Sequence, residues 1–276
     1  MTDAVRERWR ASAEGWRRRA DMVRAMGMPV SARMIDQLDL QPGYVVLELA
    51  AGPGDTGFMA AELVRPSGGL ICSDAFEEML AIARGRAAQQ GIENVEFKLL
   101  ELEWIDLGTA SVDAALCRWG LMFVAEPAVS LLEMRRVVRP GGRVALAAWA
   151  DPERNPWATI PARALVELGH AEPPDPQAPG MFSLAQPGQL RDLLEESGFT
   201  EVEVDAIELD SERPGVEGYL DETSDLSRPF AQVRDRLSET EWAEVLDRVR
   251  DLAEPFTTET GRLRMPAQSL VASASA

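Results

Sequence analysis

The run Val45-Val46-Leu47-Glu48-Leu49-Ala50-Ala51-Gly52-Pro53-Gly54-Asp55-Thr56-Gly57 joins a short valine-rich stretch, a carboxylate and three glycines. Gly52, Gly54 and Gly57 satisfy the spacing G-x-G-x-x-G. Glycine after a buried strand lets the chain turn tightly and brings backbone up to a ligand with no Cβ between them. Asp74 lies 20 residues beyond Gly54, at the end of the next apolar run. A carboxylate there can accept from ribose hydroxyls, as in dinucleotide-binding folds. It can equally cap the helix that begins near Glu77 and Glu78.

Three further features separate the nucleotide readings. Glu48 stands four residues before Gly52, where it would repel the phosphates of a dinucleotide but accept from an ammonium group. Glu101, within Leu100-Glu101-Leu102, ends the third apolar run and can accept from an adenine amine. A third run, Met134 to Leu146, enters its strand through Pro140-Gly141-Gly142. Together they favour S-adenosylmethionine (SAM) over a nicotinamide dinucleotide. Two alternatives stay open: an NAD(P)-dependent oxidoreductase using the same turn, and a SAM-binding module without turnover. The first needs a hydride-transfer partner set such as Tyr/Lys, and Tyr44, Tyr219 and Lys98 are not spaced for one.

These residues need elements to hold them. Residues 4–39 read as helical, and Gly27 with Pro29 predicts a split into two helices. Tyr44–Leu49 suits a buried parallel strand. Helix and strand then alternate: a helix over 56–64, a strand over 70–73, a helix over 77–90, strands over 95–99 and 112–117, a helix over 128–138 and a strand over 143–149. That alternation means right-handed βαβ crossovers and a parallel sheet. Residues 150–188 hold eight prolines, too many for regular α/β structure and suited to a lid or substrate loop. A short helix over 189–197, a strand over 202–209, a helix opened by the capping box Ser238-Glu239-Thr240-Glu241 and a last strand over 263–272 complete the chain. The expected organisation is a helical cap over 1–40, a Rossmann-like core over 41–150, a Pro-rich lid over 151–188, and the rest of the same domain over 189–276 with a helical insert at 214–256.

With these residues in place, the chain resembles the class I SAM-dependent methyltransferases, and within them the UbiE-like small-molecule group. Glu48 to Gly54 is similar to the first motif of that family. Ser73-Asp74-Ala75-Phe76-Glu77-Glu78-Met79-Leu80 resembles the second, and Val95 to Glu103 the third. Cys117-Arg118-Trp119-Gly120-Leu121-Met122-Phe123 and the Arg139-Pro140-Gly141-Gly142 turn complete the series. One position departs: Ala50 stands where the family usually has its first glycine, so alanine must reach that backbone conformation.

The resemblance implies a Rossmann-like three-layer α/β sandwich around a seven-stranded, mostly parallel sheet whose last strand is antiparallel. SAM would lie across the carboxyl ends of the first, second and fourth strands and leave as S-adenosylhomocysteine. Ala50, Gly52 and Gly54 would lie by its methionine half, Glu48 would hold its amino group and Asp74 its ribose. Ala75 and Met79 would pack on adenine, Glu101 would accept from the adenine amine, and the Leu102 amide would lie near the ring. Met79 as plain core and Glu101 as a solvated strand end are the bland alternatives. Cys117, Arg118 and Trp119 follow the fourth strand, where the methyl would point, and Cys117 and Arg118 would lie against the cofactor. Arg118 can pair with a carboxylate of cofactor or substrate, Trp119 can line the substrate, and Cys117 reads as a small buried residue.

Two candidates lie outside these motifs. His170 is of the side-chain type that serves as a general base and sits in the lid segment; the bland alternative is the C-terminus of a helix over 160–169, with Pro161 in its first turn and Gly169 near its end. Trp16, with Met22, Met26, Met28 and Met34, can close an apolar substrate pocket or simply pack as an amphipathic helix. Arg17-Arg18-Arg19 reads as a solvated face.

Composition excludes other classes. The net charge is -18, and residues 191–276 hold 21 of the 46 acids against 9 bases. Such a surface fits neither nucleic acid nor an anionic membrane as main partner. Cys72 and Cys117 are too few for a disulfide framework, and one histidine leaves no His-rich metal centre, so no metal is expected. No apolar run reaches membrane length. The expectation is a cytoplasmic enzyme, a monomer or homodimer, acting on a small molecule.

Overall fold

A computed structural model describes residues 3–175 and 178–276. Seven strands form one sheet in the order β3-β2-β1-β4-β5-β7-β6. They are β1 (Val45–Glu48), β2 (Gly69–Asp74), β3 (Val95–Leu99), β4 (Val112–Arg118), β5 (Val138–Trp149), β6 (Thr200–Arg213) and β7 (Leu263–Ser275). The first five run parallel, and β7 pairs antiparallel with both β5 and β6. The antiparallel last strand is therefore as expected. Valine, leucine and alanine fill the central strands, which are buried on both faces as a parallel sheet requires.

Register decides where chemistry can sit. Glu48 pairs with Cys72 of β2 and Leu116 of β4, while Asp74 pairs with Leu99 of β3. Glu48, Asp74 and Arg118 thus finish their strands at one edge of the sheet. The order reverses between β1 and β4, which is where an open α/β sheet leaves its ligand crevice.

The helices α2 (Asp55–Leu63) and α3 (Glu77–Gln90) link β1, β2 and β3, and α4 (Pro127–Val137) links β4 to β5. Because the two series step in opposite directions, right-handed crossovers place α4 on the other face. There it packs with α6 (Pro187–Glu196). A second apolar cluster joins α5 (Pro156–Glu167), α7 (Val216–Leu226), α8 (Arg228–Arg234) and α9 (Glu239–Ala253). The Ser238 capping box forms, with the Ser238 hydroxyl accepting from the Glu241 amide at 3.3 Å and the Glu241 carboxylate accepting from the Ser238 amide at 2.8 Å.

Two proline-based expectations are corrected. α1 (Asp3–Gln37) is one helix of 35 residues with Pro29 inside it. Its last turns bury Val30, Met34 and Ile35 in the main core, joined by Leu38 just beyond it, and its first half packs on α3 and α7. Tertiary packing on both sides outweighs the single hydrogen bond that Pro29 removes. Likewise, the Pro-rich stretch contains a regular helix, α5, with Pro161 in its interior. Proline there cannot bond the carbonyl of Trp157, and the Tyr219 hydroxyl donates to that carbonyl instead. Pro176, counted in the same stretch, lies outside the described residues. Among the described residues no helix is long and apolar enough to cross a membrane.

Candidate active site

The β1–α2 turn is built on backbone that side chains rarely adopt. Gly52 has φ 53° and Gly54 φ 89°. Nothing lies within 4 Å of where a Gly52 Cβ would stand, so this face of the turn is open to an approaching group. Ala50 adopts φ 51°, a left-handed conformation that costs a non-glycine residue about 1 kcal/mol. Its methyl has a counterpart across the site: a Cβ on Gly120 would lie 2.4 Å from the Ala50 Cβ and 2.9 Å from Cys117 Sγ. Gly120→Ala should therefore destabilise the protein by about 2 kcal/mol. Ala50→Gly should restore part of that loss, a coupling that urea unfolding of the two single variants and the double variant will measure.

Glu48 points beneath the turn. It is 2% exposed, and its Oε1 accepts from the Gly57 amide at 2.9 Å. A Cβ at position 57 would stand 2.2 Å from Glu48 Oε2, so glycine there makes room for the carboxylate. Oε2 itself is buried with no hydrogen-bond partner among the described residues. Burial pushes the Glu48 carboxyl up to about 8, against the opposing pull of the Gly57 amide and of Arg118.

Asp74 braces the same turn from β2. One carboxylate oxygen accepts from the Gly52 amide at 2.9 Å and the other from the Phe76 amide at 3.1 Å. The N-cap of α3 is Phe76, with no side-chain cap. Each Asp74 oxygen keeps a lone pair for a further donor. Burial raises its carboxyl to about 6, and the two amides hold it from rising further.

Arg118 closes the third side. Its Nη1 is buried without a partner among the described residues, and a Cβ on Gly27 would lie 2.0 Å from it. The glycine that predicted a break in α1 is instead the space that the guanidinium fills. Burial lowers the Arg118 pKa, while Glu48 and Asp55 oppose that shift. Cys117 is buried, with the Gly120 and Leu121 amides donating to its sulfur, and burial pushes the thiol up to about 12. It is not a nucleophile at neutral pH.

The other expected residues divide. Met79 and Phe76 form a small apolar cluster with Ala13, and Ala75 and Trp16 pack against it. Trp16 thus lies beside the residues that follow Asp74. Glu101 sits in a short loop where its carbonyl accepts from the Trp104 amide at 3.2 Å, and Leu102 packs on the main core. Trp119 has φ 58°; its ring stacks on Trp149 at 4.2 Å and its Nε1 donates to Ser269 Oγ at 2.9 Å. Met34 belongs to the main core, and Met26 packs against it. His170 follows the end of α5, where its amide bonds the Leu165 carbonyl at 2.8 Å and its ring lies near Glu241 of α9. No hydrogen bond or ion pair among the described residues connects it with the glycine turn.

Several contributors carried no recognisable motif. Asp55 Oδ1 pairs with Arg86 of α3 at 2.7 Å, and Arg86 pairs with Asp21 of α1 at 3.0 Å. Ser31 Oγ and Thr56 Oγ1 meet at 2.9 Å. These bonds fasten α1 over the turn. Arg18 and Arg19, expected to be solvated, reach across to Asp225 of α7. Beyond Trp119, the aromatic series continues through Trp149 to Trp157, whose ring centroids lie 5.0 Å apart. Fully buried Asn155 fixes that end, accepting from the Trp157 indole at 3.1 Å and the Gln268 amide at 3.0 Å. The Asn155-Pro156-Trp157 sequence was the only available signal.

The oxidoreductase alternative finds no support. Tyr219 is buried against Trp157, Tyr44 lies under Arg139, and Lys98 pairs with Glu96 on β3. A family described as "Methyltransferase domain" matches residues 40–168. The nocamycin O-methyltransferase of Saccharothrix syringae is 30% identical over 208 residues, covering 70% of this chain and 72% of that protein. The chain belongs to the SAM-dependent methyltransferases. A ubiquinone/menaquinone biosynthesis C-methyltransferase (UbiE) of Burkholderia multivorans is 37% identical to this methyltransferase over 110 residues, 40% of this chain and 45% of that one. The methyltransferase spans from 32% to 49% of the length of several other curated relatives it matches. A solved Bacillus halodurans protein shares its fold (TM-score 0.62, 17% identity, 89% of this chain and 97% of that one). So does a Haemonchus contortus phosphoethanolamine N-methyltransferase bound to S-adenosylhomocysteine (TM-score 0.54, 12% identity, 89% and 52%).

The residues present fit SAM. Two desolvated carboxylates can take its amine and hydroxyls, and a buried guanidinium nitrogen without a partner suits its carboxylate.

Proposed function

We propose that this chain catalyses methyl transfer from SAM to an oxygen, nitrogen or carbon of a small apolar or aromatic molecule. One observation carries the reading: two buried acceptors, Glu48 and Asp74, and the unpartnered Nη1 of Arg118 meet around a turn whose Gly52 face is open. When bound, SAM supplies a methyl carbon activated by its sulfonium. The chain's own part is to hold and to shield. Arg118 would bind the carboxylate, Glu48 the amine, Asp74 the ribose hydroxyls, and Glu101 the adenine amine. Partly buried Trp119 and Trp157, both packed on the buried Trp149 ring, would align the acceptor, with α1 and α7 excluding water. Indole rings suit a ring-shaped acceptor. Relatives named for nocamycin O-methylation and for ubiquinone/menaquinone C-methylation support small acceptors of this kind. The acidic surface supports an acceptor that is not nucleic acid.

The test is a labelled-methyl screen across phenols, quinones and amines, with calorimetry of S-adenosylhomocysteine and NAD beside it. Transfer to at least one ring-bearing acceptor, with binding of S-adenosylhomocysteine, is expected. Binding of NAD without S-adenosylhomocysteine overturns the reading.

A further inference from the structure

We infer that Trp16 is a binding residue for the adenosine half of the cofactor, its indole Nε1–H donating to an acceptor of the nucleoside. The inference rests on the SAM reading above and moves Trp16 away from the substrate pocket expected of it. Three observations carry it. First, the indole packs in the cluster of Ala13, Phe76 and Met79, beside Ala75; Ala75, Phe76 and Met79 lie within five residues after Asp74. It does not belong to the Trp119–Trp149–Trp157 series. Second, Trp16 Nε1 is buried and donates to nothing among the described residues. A buried indole N–H ordinarily finds an acceptor, and one left without a partner is costly. Third, the surrounding shelf is aromatic: Trp9 lies 6.0 Å from Trp16 and meets Phe123, after β4, edge-on at 5.2 Å.

The polarity of the site makes the assignment specific. Asp74 and Glu101 supply acceptors for the hydroxyls and amine of adenosine, but adenine ring nitrogens and the ribose ring oxygen are acceptors and need donors. Trp16 supplies one from α1. The Asp21–Arg86–Asp55 chain of ion pairs fastens α1 to the glycine turn five residues along from it. Cofactor binding would therefore also hold the first half of α1 in place.

Phenylalanine keeps a ring at position 16 and removes only the donor, so calorimetry compares wild type with Trp16→Phe. Two ligands are used: S-adenosylhomocysteine, and 5′-methylthioadenosine, which lacks the amino acid. Trp16→Phe should weaken both by the same factor, about three- to tenfold for one neutral hydrogen bond. Thermal melting of the unliganded variant checks its fold. Arg118→Met serves as the contrast and should weaken S-adenosylhomocysteine far more than methylthioadenosine. Wild-type affinity of Trp16→Phe for both ligands, or a loss confined to S-adenosylhomocysteine, overturns the inference and leaves the SAM reading intact. Wild-type protein that binds neither ligand overturns the SAM reading itself.

Discussion

Asp74→Ala should weaken S-adenosylhomocysteine binding at least about a hundredfold, an outcome that calorimetry will read. Two kinds of loss add. The ribose hydroxyls lose a buried carboxylate acceptor, and hydrogen bonds to a charged group are worth about 1.5–3 kcal/mol each. The turn also loses its brace, because the Gly52 and Phe76 amides lose the acceptors they reach at 2.9 and 3.1 Å. The same residue sets a lower pH limit. With its carboxyl near 6 in the free protein, Asp74 ionises fully only above that value. Hydroxyl donors favour the ionised form, so affinity should fall as pH drops below about 6. Retention of wild-type affinity by Asp74→Ala would remove Asp74 from the ribose site.

Glu48→Gln should remove one large component of the protein's pH-dependent stability. The Glu48 carboxyl lies near 8 in the folded chain against 4.5 in the unfolded one, so the folded state holds the proton more tightly. Its contribution to stability is fully present below 4.5 and is lost as pH rises through 8. Glutamine is close in shape to the protonated acid and does not titrate. The difference in unfolding free energy between variant and wild type should thus grow by up to about 4 kcal/mol from pH 5 to pH 9. Binding should show the reverse dependence. An ammonium group favours ionised Glu48, so wild-type affinity for S-adenosylhomocysteine should rise by up to about one decade per pH unit towards 8. Glu48→Gln should lose that slope. Parallel pH profiles for the two proteins would show that Glu48 supports the turn without meeting the amine.

Local chemistry was legible in the sequence, and long-range packing was not. The boundaries of α3 and β3, the capping box and the crowding of carboxylates at one sheet edge all follow from residues within a few positions of each other. Gly27 and Pro29 followed the local rule for a break, and the rule failed because Arg118, far along the chain, fills the space above Gly27. The expectation that residues 150–188 hold too many prolines for regular structure failed at α5, where the acceptor that Pro161 frees is satisfied by Tyr219 from another helix. Trp16 packs beside residues that follow Asp74, a placement that helical spacing alone does not reveal. The Asp21–Arg86–Asp55 chain had no signal beyond an acid after a glycine, as ordinary charged residues acquire that role only through the fold.

The most direct measurement is a crystal structure of the chain with S-adenosylhomocysteine. The ribose hydroxyls are expected on Asp74, the carboxylate on Arg118 and the adenosine beneath Trp16, with the sulfur facing the segment after β4. A ligand bound away from the β1–α2 turn, or one in the crevice that touches neither Asp74 nor Arg118, would contradict this arrangement.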